Sequence, residues 1–169
     1  MEMVAQNRED LLNPNFMKCI KWNPVSLSVG AVSIHYEKIY SNDKSVIYYG
    51  NIFNFLYQNR ILGFGLGAGY RNYFTDNLKS DFYVEPFVKY QFIQLMHTNW
   101  NLNSFGLGLI AGRKWIIGER ITLEIYGGPL YSLGFNKVGT NPSLPYIYWL
   151  PSVNGVWLKS GLALGYRFK

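Results

Sequence analysis

Residues 62–70 read Leu62-Gly63-Phe64-Gly65-Leu66-Gly67-Ala68-Gly69-Tyr70, a large residue and a glycine in turn. The same beat returns in FGLGL (105–109) and LALGY (162–166). Successive side chains of a strand point to opposite faces, so each segment has one face of Leu, Phe, Ala and Tyr and another stripped largely to hydrogen. That is the wall of a small closed barrel. Aromatics end the apolar face and the chain finishes on GLALGYRFK, which turns that face outward to lipid. The expected fold is all-β: a single closed antiparallel up-and-down transmembrane β-barrel of about eight strands.

Composition agrees. The chain has 169 residues, 49% apolar and 18% aromatic, with only 15% charged, less charge than a soluble domain of this size usually carries. Tyr and Trp gather where a ring can sit half in lipid with its polar tip wet, and 14 Tyr and 5 Trp fit aromatic girdles. No stretch approaches the roughly 18–20 consecutive apolar residues of a membrane helix, whereas a barrel strand needs only alternate apolar positions. A net charge of +6 raises nucleic acid as a partner, but the Lys and Arg are scattered and no nucleic-acid motif is present. Charge at barrel ends facing anionic headgroups accounts for it better, so lipid and lipopolysaccharide are expected partners and nucleic acid is not. The opening MEMVAQNREDLLNPNF has no basic start and no continuous apolar core, so it does not read as a signal peptide. Cys19 has no partner for a disulfide and no lipoprotein cleavage context, and reads as a minor thiol.

Short polar turns at 41–44, 75–79 and 118–119 separate the alternating runs, with longer connections at 57–60, 95–104 and 136–154. Bacterial outer-membrane barrels put short turns on the periplasmic side. Strands are then expected at 31–40, 45–56, 61–74, 80–92, 105–117, 120–135 and 155–168. An even count with periplasmic termini requires one more, at 18–28, turning near Val29-Gly30. Pro24 weakens that strand, and Pro86 and Pro129 are read as local bulges. Residues 1–17 are left as an N-terminal periplasmic tail and 18–169 form the barrel.

With the apolar face outward, Phe82, Val84, Pro86, Val88, Tyr90 and Phe92 face out, and Tyr83, Glu85, Phe87, Lys89 and Gln91 face in. Ile121, Leu123, Ile125 and Leu133 likewise leave Thr122, Glu124 and Tyr126 inside. By the same alternation His35, Glu37, Arg71, Lys114, Lys159 and Arg167 point inward. Buried charge is costly unless paired, so Glu37, Glu85, Glu124, Arg71, Lys89, Lys159 and Arg167 are expected to form a lumen charge network. An eight-stranded barrel has room only for side chains, so this lumen is not a pore. Nothing in the carboxylate spacing separates a catalytic pair from a structural network, and the structural reading is taken.

KWNPVSLSVGAVSIHYEKIY, LGFGLGAGYRNYF, DFYVEPFVKYQF and the ending GYRF resemble the small outer-membrane barrels of unknown function of Bacteroidetes-type bacteria. The most specific parts are Asn23-Pro24-x-Ser26-Leu27 and Tyr36-Glu37. The resemblance runs from Lys21 to the end, implies an eight-stranded barrel and assigns no activity. Lys169 follows the aromatic Phe168 where such barrels usually stop. Outward Leu164, Tyr166 and Phe168 still make a recognition strand for the barrel-assembly machinery.

Enzyme readings find little. A lipid A deacylase-like site places Ser two residues after His with a carboxylate nearby, but Asn99 holds that position after His97. His35 reads as a satisfied lumen residue beside Glu37. Gly63, Gly65 and Ala68 match a dinucleotide fingerprint in letters only, because the strand continues through Arg71 and Tyr73 where a helix is required. No Cys or His cluster has metal-ligand spacing, and no cofactor is expected. A soluble lipocalin-type barrel would need an apolar lumen, against Glu85, Lys89 and Glu124. The stretch 141–151 holds three prolines and Tyr146, Tyr148 and Trp149; with Pro145 these form a rigid partner loop, or else part of the outer girdle. The expectation is a non-enzymatic outer-membrane barrel, an accessory or structural subunit beside a larger outer-membrane protein.

Overall fold

The computed structural model describes residues 18–41, 43–54, 61–77, 80–95, 101–118, 120–137 and 155–169. Eight strands follow one another around a closed barrel: β1 Lys18–Trp22, β2 Ala31–Ser41, β3 Lys44–Asn54, β4 Ile61–Asn77, β5 Ser80–Leu95, β6 Asn101–Ile117, β7 Ile121–Lys137 and β8 Gly155–Phe168. Every neighbouring pair is antiparallel, and β8 closes on β1 from Lys18↔Phe168 to Trp22↔Leu164. The up-and-down barrel expected from the glycine alternation is the observed fold.

The alternation sets the two faces. In β4 Leu62, Phe64, Leu66 and Tyr70 are exposed outward, while Gly63, Gly65 and Gly69 are buried on the inner face. Outward Ile52, Val88, Leu107, Ile125 and Leu164 continue the apolar wall around the ring. Aromatics gather toward its two ends. Tyr40, Phe74 and Phe82 lie near the short turns, and Phe64, Phe92, Tyr90 and Phe105 form a cross-strand row near the other end, with ring centroids 4.9–6.2 Å apart. Cross-strand aromatic pairs of this kind each add a few tenths of a kcal/mol to about 1 kcal/mol. In the β2–β3 turn the Ser41 hydroxyl donates to the Asp43 carboxylate at 2.7 Å and holds it below the usual carboxylate range, and Lys44 acts in the same direction.

The first strand is shorter than expected. It stops at Trp22, and Pro24–Val29 form a 3-10 helix instead of continuing to Ser28. Proline has no N–H for a ladder and fixes φ near the value a helical turn uses. Asn23 reinforces the switch, since its side chain accepts from the Val25 N–H at 3.0 Å. Gly30 ends the helix at φ 68, a left-handed conformation that costs other residues strain.

Pro86 and Pro129 do not form bulges. Pairing lapses beside them between β4 and β5 and between β6 and β7, but the register is the same on either side. Each proline keeps its pairing with the strand on its other flank, Pro86↔Leu109 and Pro129↔Leu158. Among the described residues, register shifts occur only beside the turns, at Ile39/Ser41 and Phe74/Asn77. Several strands also outrun the expected limits: β5 reaches Leu95, β6 begins at Asn101 and β7 reaches Lys137. Their polar ends hid them, because apolar alternation marks only the part of a strand with an apolar outer face.

Candidate functional site

The inward faces of β1, β2, β4, β5, β6 and β7 converge on a cluster of six charges in the half of the lumen nearest the short turns. Lys21, Glu37, Arg71, Glu85, Lys114 and Glu124 are all at least 97% buried. Arg71 lies at the centre. Its Nε meets Glu85 Oε2 at 2.5 Å, and its Nη1 lies 3.0 Å from Glu124 Oε2 and 3.6 Å from Glu37 Oε1. Tyr83 stacks under the guanidinium, 4.2 Å from ring centroid to Cζ. Lys21 bridges Glu37, at 2.7 Å, and Glu124. Lys114 Nζ meets Glu37 Oε2 at 2.9 Å.

Three cations therefore face three carboxylates, which removes net charge from a region where each unpaired ion would cost several kcal/mol. Hydroxyls complete the shell around Glu37: Ser45 Oγ donates at 2.6 Å, and Tyr73 donates to the same oxygen. Glycines make the room. A Cβ on Gly69 would lie 2.7 Å from Glu85 Oε1, so the carboxylate occupies the space a side chain would fill.

Beyond this tier the lumen turns apolar, with Ile47, Tyr49, Phe87, Ile110, Leu130 and Ala163 packed together. Lys159 lies in this second tier, its Nζ 3.9 Å from the Tyr49 ring centroid and 4.2 Å from that of Phe87, and it joins the network through its electrostatic interaction with Glu85 instead of through an ion pair at contact distance. Lys89 donates to Gln91 at 3.1 Å. The register explains the separation, since Lys159 pairs with Gly128 and Glu124 with Ala163, four residues further along β8. Arg167 is inward and buried, at the short-turn end. Lys21 was missed in the sequence because it was read as part of a longer, doubtful strand, although outward Ile20 and Trp22 place it inside by alternation alone.

His35 is not paired with Glu37. Its Nε2 lies 2.9 Å from Ser33 Oγ, its ring meets Tyr49 edge-on at 4.8 Å, and its Nδ1 has no hydrogen-bond partner. Leu164 and Tyr166 are exposed on the outer wall and Phe168 is half-buried beside them. Pro145, Tyr146, Tyr148, Trp149, His97 and the tail 1–17 lie outside the described residues. Among the described residues no group of three His, Cys, Asp or Glu side chains could hold a metal ion.

No family model matches the chain, and no curated protein matches it. Among solved structures, the N-terminal β-barrel domain of Pseudomonas aeruginosa OprF is similar to it, with a TM-score of 0.56 at 14% identity over 91% of this chain and 99% of that domain. At that identity the likeness is one of fold: this chain is an eight-stranded antiparallel up-and-down barrel of the same architecture.

Proposed function

We propose that this protein is a non-enzymatic barrel of a bacterial outer membrane, with periplasmic termini, serving as a structural or accessory subunit of a larger outer-membrane complex. The observation that carries the reading is the cluster of ion pairs around Arg71 inside the barrel, which supports an interior taken up by side chains in place of an open pore. An apolar outer wall between two aromatic zones supports the membrane setting. The likeness of KWNPVSLSVG and its companions to small barrels of Bacteroidetes-type bacteria points the same way, as does the fold shared with the OprF domain. A barrel with its lumen occupied has its outer wall and rims left for function, and the aromatic stretch around Tyr146, Tyr148 and Trp149 has the composition of a contact surface.

The test is mass spectrometry of what remains bound to the tagged protein after extraction from native membranes in mild detergent. One stoichiometric membrane partner is expected. A monodisperse barrel with lipid alone would overturn the subunit reading.

A second reading, a lipid-modifying enzyme, draws on the contact between Ser33 and His35. A serine hydroxyl on imidazole Nε2 is the geometry of an activated nucleophile. Against it, no carboxylate orients Nδ1, and Ser33 is 95% buried on the lumen side. Labelling of the detergent-solubilised barrel by a fluorophosphonate, lost in Ser33→Ala, would favour it.

A further inference from the structure

The barrel is closed by strand pairing only in part. β1 contributes five residues against the fourteen of β8, and their pairing ends at Trp22↔Leu164. Residues 155–163 of β8 extend past that point, paired to β7 on one side and to no described strand on the other.

The direction of the backbone groups identifies what is left over. The Arg167 N–H donates to Arg120 O at 2.7 Å, so odd-numbered residues of β8 aim their main chain at β7, and the register runs unshifted to Gly155. Val156, Leu158, Ser160 and Leu162 therefore aim theirs at the seam. The next pairing partner for Leu162 would be Pro24, which has no N–H to give.

The 3-10 helix lies in this seam, yet its hydrogen bonds go elsewhere. Asn23 N–H donates to Ser33 O at 3.1 Å and Ser26 Oγ to Ala31 O at 2.9 Å, which satisfies the β2 side. The Asn23 amide donates inward to the Tyr126 hydroxyl at 2.8 Å, and the bonds of Val25, Ser28 and Gly30 stay within the turn. Among the described residues it makes no hydrogen bond to the β8 edge. Beside that edge, Val156 and Leu158 are the most exposed large apolar side chains among the described residues, at 75% and 74%, and Ser160 turns a hydroxyl outward among them.

We propose that the 155–163 edge of β8 is a docking site for an extended strand of a partner protein. This rests on the outer-membrane subunit reading. Within hydrocarbon a lipid cannot satisfy main-chain N–H and C=O groups, whereas a strand supplies both along its length. A strand running antiparallel to β8, in the direction of β1, continues the all-antiparallel pairing of this barrel, which is also the more stable ladder. A second copy in the same membrane orientation would bring β8 against β8 in parallel, so the fitting occupant is a different chain, with apolar residues at alternate positions facing lipid.

The test places the photocrosslinker p-benzoylphenylalanine at Leu158, and at Leu107 on β6, two strands away, in the full chain in its native membrane. A Val156→Pro background removes one edge N–H and leaves the β7 ladder intact; Leu162→Pro is the alternative should that variant not assemble. One protein adduct of defined mass is expected at Leu158 and not at Leu107, reduced at least tenfold by the proline. Adducts to lipid alone, to a second copy, or undiminished by proline would overturn the docking site. If a partner co-purifies but does not crosslink at Leu158, the edge proposal falls and the subunit reading stands. If no partner co-purifies, both fall.

Discussion

Arg71 Nε and Glu85 Oε2 meet at 2.5 Å inside the barrel, on neighbouring strands, with Gly69 leaving the space that the carboxylate fills. The same guanidinium reaches Glu124 and Glu37, so one side chain ties together carboxylates from three strands. Such an arrangement fixes which inner faces oppose one another. It makes the interior a cross-brace of the barrel.

Removal of that brace is expected to be costly. Arg71→Met removes the ion pair that Glu85 makes and one each from Glu124 and Glu37, and breaking buried pairs typically costs about 3–5 kcal/mol. Urea unfolding of the refolded barrel in detergent micelles, followed by its shift on unheated gels, measures the loss. A change below about 1 kcal/mol would show that the cluster is hydrated and not buried.

The carboxylates should not be equivalent. Glu37 takes Lys21, Lys114, Ser45 and Tyr73 as well as Arg71, whereas Glu85 Oε1 has no hydrogen-bond partner. In the same unfolding assay Glu37→Gln is expected to lower stability clearly more than Glu85→Gln. The reverse order would contradict the assigned geometry.

Glycines on the two faces should also differ. Gly112→Ala puts a methyl 2.5 Å from Tyr83 Cζ, and such overpacking costs about 1–3 kcal/mol. Gly50 has its nearest neighbour at 3.8 Å, so Gly50→Ala is expected to stay within about 0.5 kcal/mol. Equal effects would mean that the inner face is less closely packed than described.

An outward charge separates a lipid-facing wall from a hydrated one. Leu107 is exposed near the middle of β6, and Leu107→Arg in water would be nearly neutral. In a bilayer it should cost about 2–4 kcal/mol. Unfolding in lipid vesicles reads the difference, and a neutral result would take the wall out of the membrane.

How much of this was legible in the sequence depended on the kind of information each feature needs. Alternation around Leu62–Tyr70 is local, so it disclosed the strands, their faces and the inward position of Glu37, Glu85, Glu124 and Arg71. Partner choice is not local: Lys21 meets Glu124 across the closed ring, and Lys159 meets aromatic rings because its register sets it four residues away from the Glu124 level. The 3-10 helix was signalled by Asn23-Pro24, but the demand for an even strand count favoured a full first strand, which a five-residue β1 satisfies equally well. Pro86 and Pro129 were assigned bulges because a lost N–H weakens a ladder; here each simply lacks pairing on one flank and keeps it on the other.

The most direct test of the central claim is single-channel recording of the purified barrel in planar lipid bilayers. On the proposal that the ion pairs around Arg71 seal the interior, the wild-type protein is expected to insert without conductance steps, and Arg71→Ser with Glu124→Ser to open measurable ones. Steady conductance from the wild-type barrel would contradict a closed lumen and with it the structural-subunit account.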